Sequence, residues 1–151
     1  MSNFTTIYDR MRVEIAAHFS SARELPNPEN LEENADQILN NGYGIIVGPA
    51  TVLTDFDNTE YYEEREFQIV FTRVIKTTDN NVAPLVTAKK NLIEDTVTLK
   101  KDWLNADQLT VDSSVQTVKL GDSSGIEFIT NKPNFIKTTI KFIVGISESI
   151  I

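Results

Sequence analysis

Residues 65–76 read REFQIVFTRVIK, a stretch in which large apolar residues alternate with others. Phe67, Ile69, Phe71 and Ile75 fall on one face, whereas the opposite face mixes polar residues with valines. Because successive side chains of a strand point to opposite sides, this period of two predicts a β-strand with one buried face. Such a strand needs a partner strand and a covering layer, and the flanking sequence indicates both.

Upstream, residues 42–49 read GYGIIVGP, a short apolar run bracketed by glycines and closed by a Gly-Pro turn signal. We predict a strand here that pairs with residues 65–76 as a hairpin. The connection from Ala50 to Glu64 is long for a hairpin and strongly acidic. We therefore expect it to project as a loop or as a ribbon extension of both strands.

Downstream, Pro84 stands where the first turn of a helix tolerates proline. Apolar residues then recur at helical spacing, namely Leu85, Leu92, Leu99 and Trp103. This spacing predicts an amphipathic helix that runs to about Leu104. Three further residues widen its apolar side, and we expect the whole side to lie across the sheet: Val86, Ile93 and Val97.

The amino-terminal segment predicts a first amphipathic helix that ends near Ser20, with Ser2 or Asn3 as its N-cap. Its apolar positions are Phe4, Ile7, Tyr8, Met11, Ile15 and Phe19. Two prolines in residues 25–28 then predict an extended connector. Residues 29–40 are acidic and could add one or two helical turns at the rim of the domain.

Three strands are predicted in the carboxyl-terminal part. Val115 to Leu120 should pair with Gly125 to Ile129, and Phe135 to Ile146 alternates with a regular apolar face. The order α, β-β, α, β-β-β predicts one α+β domain spanning residues 1–151. Its sheet should be antiparallel or mixed, have about four to five strands, and be covered on one side by two helices.

The amino-acid composition excludes several classes of function. The chain has 22 acidic and 14 basic residues, a net charge of −8 and no cysteine. Thiolate zinc sites, disulfides and cysteine nucleophiles are therefore excluded. The lysines form no block, which argues against sequence-independent binding of nucleic acid. Charges interrupt the apolar residues near the amino end, and the longest apolar runs have strand length, so we expect neither a secretory signal nor a membrane span.

The motif Asp55-Phe56-Asp57-Asn58-Thr59 follows Val52-Leu53-Thr54 and resembles the signature of haloacid-dehalogenase-like phosphatases. That resemblance implies a nucleophilic Asp55, an acid/base Asp57 and a magnesium ion. The downstream acidic pair is poorly matched, because its nearest candidate, Asp122 with Glu127, falls in a predicted hairpin. We therefore predict no enzyme, no cofactor and no bound metal, and keep the phosphatase as an alternative.

The sequence gives only weak support to two further kinds of site, a calcium site and a site at His18. Asp55, Asp57 and Glu60 could approach calcium, but Glu60 occupies the position where an EF-hand loop needs glycine. His18 is the only histidine and stands at the predicted end of the first helix, where a capping or surface role is expected. No serine has another candidate base, so a hydrolytic triad is not predicted.

Three stretches resemble the tail terminator and tail-completion proteins of long-tailed bacteriophages. They are the connector Leu25 to Asn34 leading into Asn41 to Ile45, the strand and helix from Glu66 to Trp103, and the closing strand Ile136 to Glu148. The resemblance covers nearly the full length and rests on order rather than on fixed residues. It implies a structural virion protein of the tail, assembled in the host cytoplasm, without catalytic residues.

The family resemblance also implies partners. Members form a ring, expected here to be a hexamer, that caps the tail tube, ends its elongation and presents a surface for head joining. The partners would be copies of the chain, the tail-tube protein and the head–tail connector, and DNA would pass through the lumen without specific binding. Two alternatives stay open: a head–tail joining protein of the same particle, and a small intracellular binding domain.

One segment stands out as a candidate interface, and its residues are Asp55, Phe56, Asp57, Glu60, Tyr61, Tyr62, Glu63 and Glu64. Its carboxylates repel one another, which favours an excursion from the domain. Its three aromatic side chains are costly to leave in water and would be better buried against another subunit. We therefore predict an arm that contacts a neighbouring protomer.

Overall fold

The structure is a computed structural model that describes residues 2–19, 22–31, 41–57, 59–75, 82–104, 115–130 and 132–149, apart from the side chains of 53–57 and 116. Two helices and six strands occupy these segments. They are α1 (Asn3–His18), β1 (Arg23–Glu24), β2 (Gly42–Asp57), β3 (Glu60–Val74), α2 (Ala83–Leu104), β4 (Val115–Leu120), β5 (Glu127–Ile129) and β6 (Lys132–Ser149). The predicted α+β class is confirmed.

The described strands form one mixed sheet in the order β1-β2-β3-β6-β4, with β5 also paired to β6. β1 runs parallel to β2, and every other pair is antiparallel. The predicted hairpin of β2 and β3 is confirmed. The predicted pairing of β4 with β5 is wrong, because β6 has 18 residues and accommodates both short strands along one edge.

Both helices cover the same face of the sheet, and the main core lies between them and the central strands. α1 contributes Ile7, Met11, Ile15 and Phe19, and α2 contributes Ala88, Leu92, Leu99 and Trp103. The sheet contributes Tyr43, Ile45, Phe67, Ile69, Phe71, Ile136, Ile140, Phe142, Val144 and Ile146. The predicted inner faces of β3, β6 and α1 are therefore correct. The expected burial of Val86 and Ile93 is wrong, since both are exposed.

A smaller apolar cluster lies on the opposite face. Leu25 and Leu31 from the connector pack with Val70 and Ile129. The predicted extended connector instead contains a turn, in which Asn30 N donates to Asn27 O at 3.2 Å, and it covers one end of the second face. The acidic segment 29–40, for which helical turns were predicted, lies outside the described residues from position 32 onward.

Both helices contact β6. α1 begins at the end of β6, where Glu148 accepts from Phe4 N, and it reaches β1, where Arg12 Nε lies 2.7 Å from Glu24 Oε1. α2 contacts β3, β6 and β4. Between the helices, Trp103 Nε1 donates to Glu14 Oε2 at 3.0 Å and His18 Nε2 lies 2.9 Å from Asp102 Oδ2. His18 thus faces the neighbouring helix.

Candidate interface on the long hairpin

The segment predicted as an acidic excursion is a ribbon extension of β2 and β3. Residues from Gly42 on β2 pair with β3 as far as the contact of Asp57 with Glu60. The other edge of β3 pairs with β6 over its whole length, from Glu60 opposite Ser149 to Val74 opposite Phe135. Of the two forms expected for this connection, the ribbon extension is correct and the projecting loop is wrong. β3 lies inside the sheet because both of its edges are paired.

The eight candidate residues fall into two groups. Asp55, Phe56 and Asp57 belong to β2 by their backbone, and their side chains are outside the described part of the chain. The other five belong to β3 and are Glu60, Tyr61, Tyr62, Glu63 and Glu64. Since neighbours on a strand point to opposite faces, these five divide between the two sides of the sheet.

The three glutamates of β3 have separate partners. Glu60 is exposed and accepts a hydrogen bond from Ser147 Oγ at 3.0 Å. Glu63 is buried on the helix-covered face, 3.4 Å from Arg65. Glu64 accepts from Lys119 Nζ at 3.1 Å on the other face. The mutual repulsion expected in a loop is therefore relieved, because the ribbon separates these carboxylates and supplies cations to two of them.

The two tyrosines of β3 contact their own subunit. The Tyr62 hydroxyl lies 3.1 Å from Thr117 Oγ1 on β4, and Gly145 on β6 lies beneath it. Tyr61 stands opposite Glu148 on β6. Burial raises the pKa of Tyr61, and the negative charges of Glu63 and Glu148 raise it further. Both rings are half-buried within the monomer, so the chain itself supplies part of the burial that was expected from a neighbouring subunit, and contact with such a subunit stays a prediction.

Glu148 ties the end of this ribbon to the first helix. Its carboxylate accepts from Asn3 N at 3.1 Å and from Phe4 N at 2.6 Å. These amides are at the start of α1, where a helix has unpaired N–H groups and a positive dipole end. Ser2 adds the N-cap, its Oγ accepting from Thr5 N at 3.2 Å. The residues around the ribbon are therefore held in place.

The unpaired part of the ribbon is its outer edge. β1 pairs with β2 only at Gly42 and Tyr43, so the described chain supplies no partner strand for β2 from Gly44 to Asp57. Pro49 falls on this edge, as edge strands tolerate. Val47 and Val52 are exposed on the same strand, Val52 to 60%. An open edge with apolar side chains can bind another chain.

A groove of about 450 Å³ beside the start of α2 is the main alternative site. It is lined by Asn41, Arg73, Val74, Ala83, Pro84, Thr87, Ala88 and Asn91. Burial lowers the pKa of Arg73 to about 10, and Asp95 contacts the guanidinium directly. Because that carboxylate balances Arg73, the one cation among the described lining residues, the described part of the groove has no uncompensated charge with which to attract a ligand.

The phosphatase and metal hypotheses gain nothing from the geometry. Asp55 and Asp57 stand on an antiparallel edge strand, whereas open α/β sheets bind ligands at the carboxyl ends of parallel strands. Within the described segments, no group of three or more histidine or carboxylate side chains is arranged to hold a metal ion. Of the helices described, neither has the length and apolar character needed to cross a membrane.

No model of a known protein family matches the chain, and no curated protein matches it. The fold and the site therefore define the class of molecule by themselves. It is an α+β domain with a helix-covered mixed sheet whose β2 edge lacks a partner strand in the described part.

Proposed function

We propose that the chain is a tail terminator of a long-tailed phage, a structural protein of the virion. Copies of it form a hexameric ring on the last ring of the tail tube, end the elongation of the tube and offer the surface to which the head joins. The open edge of β2 supports this proposal most directly, because it gives each copy a surface that another chain can extend.

Charge gives independent support. A ring through which DNA passes must not bind the phosphates, and the chain carries a net charge of −8. Assembly is proposed to occur in the host cytoplasm, with the tail-tube protein on one side of the ring and the head–tail connector on the other. No catalytic step, metal or cofactor is part of this function.

Light scattering after size exclusion tests the ring. A chain of 17.0 kDa should elute at six times that mass, alone or after addition of the tail-tube protein. Electron microscopy should then show closed rings at the ends of tubes and a narrow distribution of tube lengths. Tubes that grow to the same lengths with and without the protein would refute capping. Binding to the head connector without binding to tubes would instead indicate a head–tail joining protein.

A further inference from the structure

α2 carries a second apolar stripe that the monomer leaves in water. Its members are Val82, directly before the helix, and Val86, Ile93 and Leu104 within it. Val82 is 72% exposed and Ile93 is 51% exposed. At 100° per residue all four fall within about 60° of one another, roughly 120° from the buried face of the helix. We call these four residues, with the lysines between them, the outer stripe.

The outer stripe is basic. Lys89 and Lys100 fall in the same angular sector, and Lys90 and Lys101 flank it, with Glu94 as the one acidic residue on that flank. Among the described residues none of these four lysines forms an ion pair. The acidic Asp95 and Asp102 stand on the other flank of α2, where Arg73 and His18 contact them. A chain that is acidic as a whole therefore carries a local surface of the opposite sign.

The outer stripe and the open edge of β2 lie on opposite sides of the molecule. α2 contacts β3, β6 and β4, while α1 runs from the end of β6 at Glu148 to β1 at Glu24. The flank of α2 with Asp95 and Asp102 faces β3 and α1. Its other flank, which holds the outer stripe, must then face the β4 side. β2 is at the far end of the strand order from β4.

We propose that the outer stripe of α2 binds the outer edge of β2 in a second copy of this chain. The β2 edge offers exposed Val47 and Val52 to the apolar residues. The tip of the same ribbon holds Asp55 and Asp57 in its β2 strand and exposed Glu60 at the start of β3. Opposite charges and apolar side chains thus meet on both surfaces. This inference rests on the proposed ring and supplies its subunit contact.

The two surfaces favour a head-to-tail contact over a symmetric one. A two-fold contact through the outer stripe would place the four lysines against four lysines, and one through the ribbon would place carboxylates against carboxylates. Like charges brought together are costly, so each surface selects the other. A contact between two different surfaces repeats from copy to copy and closes into a ring when the rotation permits.

Cross-linking can test the contact because the chain has no cysteine of its own. We would combine Ile93→Cys with Val52→Cys and treat the assembled protein with a short bis-maleimide. The expected result is a ladder of covalent oligomers that stops at the ring. The matched control is Val13→Cys with Val52→Cys, since Val13 is at least as exposed as Ile93 but lies on the outer side of α1. That pair should give little cross-linking.

Charge reversal gives a second readout. Lys89→Glu with Lys100→Glu should weaken self-association by about tenfold or more, and adding Glu60→Lys should recover part of the loss. The unfolding midpoint of each variant at low concentration checks that the monomer is intact. A variant with Ile93→Cys alone provides a further check. If its copies cross-link to one another with the same yield as the variant that also has Val52→Cys, the proposal is overturned.

The outcomes also separate the contact from the function. Closed rings whose Ile93 and Val52 positions do not cross-link would refute this contact and leave the ring intact. A cross-linked ladder that forms open filaments would support the contact and refute the terminator. A protein that remains monomeric with and without tubes would refute both.

Discussion

Gly145 shows how closely the strands approach at a single residue. A methyl group there would overlap the Tyr62 hydroxyl and Thr117 Oγ1, which hold β3 and β4 to β6 on the open face. Gly145→Ala should therefore cost roughly 1–3 kcal/mol, the usual range for overpacking. Chemical denaturation provides the measurement. Gly125→Ala is the control, because no atom lies within 4 Å of its added methyl group, and it should change stability little.

A single substitution of Asp55 tests the alternative that the protein is a phosphatase. With magnesium and a chromogenic phosphate ester, we expect no turnover by the wild-type protein and no change on Asp55→Asn. The reason is that Asp55 stands on an antiparallel ribbon, without a described cluster of metal ligands. Turnover that disappears in the Asn variant and is retained in Glu60→Gln would establish a phosphatase.

At the scale of the element, α2 contributes four buried residues to the core. Leu99 is fully buried, so Leu99→Ala should lower the free energy of unfolding by roughly 2–5 kcal/mol. Leu104→Ala makes the same chemical change on an exposed position of the same helix and should cost about 0.5 kcal/mol or less in the monomer. Equal effects would show that the buried face of α2 is misassigned.

The tyrosines of β3 lead to a different expectation from the one their sequence suggested. Tyr61 and Tyr62 belong to a strand with partners on both edges, and Tyr62 contacts β4. Replacing both by serine should therefore lower the thermal midpoint of the monomer itself. Calorimetry below the concentration of assembly measures this. A midpoint equal to that of the wild type would return the two rings to a purely intermolecular role.

Local periodicity predicted the helices and strands well, but it did not predict which strands pair with one another. The alternation in β3 and β6 and the helical spacing of Leu92, Leu99 and Trp103 correspond to the observed faces, because each pattern follows from backbone geometry alone. The two-residue β1 has no period to detect. Pairing was also hidden, since nothing in β4 or β5 indicates that both bind β6.

The ribbon form of the acidic connection was one of the two forms predicted from the sequence, and its role as an interface stays a prediction. The contacts of its side chains could not be predicted. Their partners, such as Lys119 for Glu64 and Thr117 for Tyr62, are 55 residues away and depend on the fold. Part of the outer stripe of α2 is visible in the sequence, because Val86 and Ile93 repeat at helical spacing, but the same spacing led to the wrong prediction that both are buried.

For the molecule as a whole, alkaline pH should weaken the fold. Burial raises the pKa of Tyr43, and nearby Glu24 raises it further. A folded-state pKa above the unfolded value of about 10 gives stability that is complete below that pH. It is lost as the pH rises through the folded pKa. Tyr43→Phe should therefore flatten the fall in unfolding free energy above about pH 10, and identical slopes would contradict the assignment.

The place of β6 in the sheet has a consequence for biosynthesis. The described strand that is made last binds the full length of β3 and the edges of β4 and β5. Until the ribosome has translated β6, the β2–β3 hairpin exposes apolar side chains to water. The edge of β3 that later pairs with β6 also exposes its backbone N–H and C=O groups. A nascent chain stalled at that stage would attract chaperones and aggregate. Nonsense mutations that remove β6 should therefore yield insoluble products.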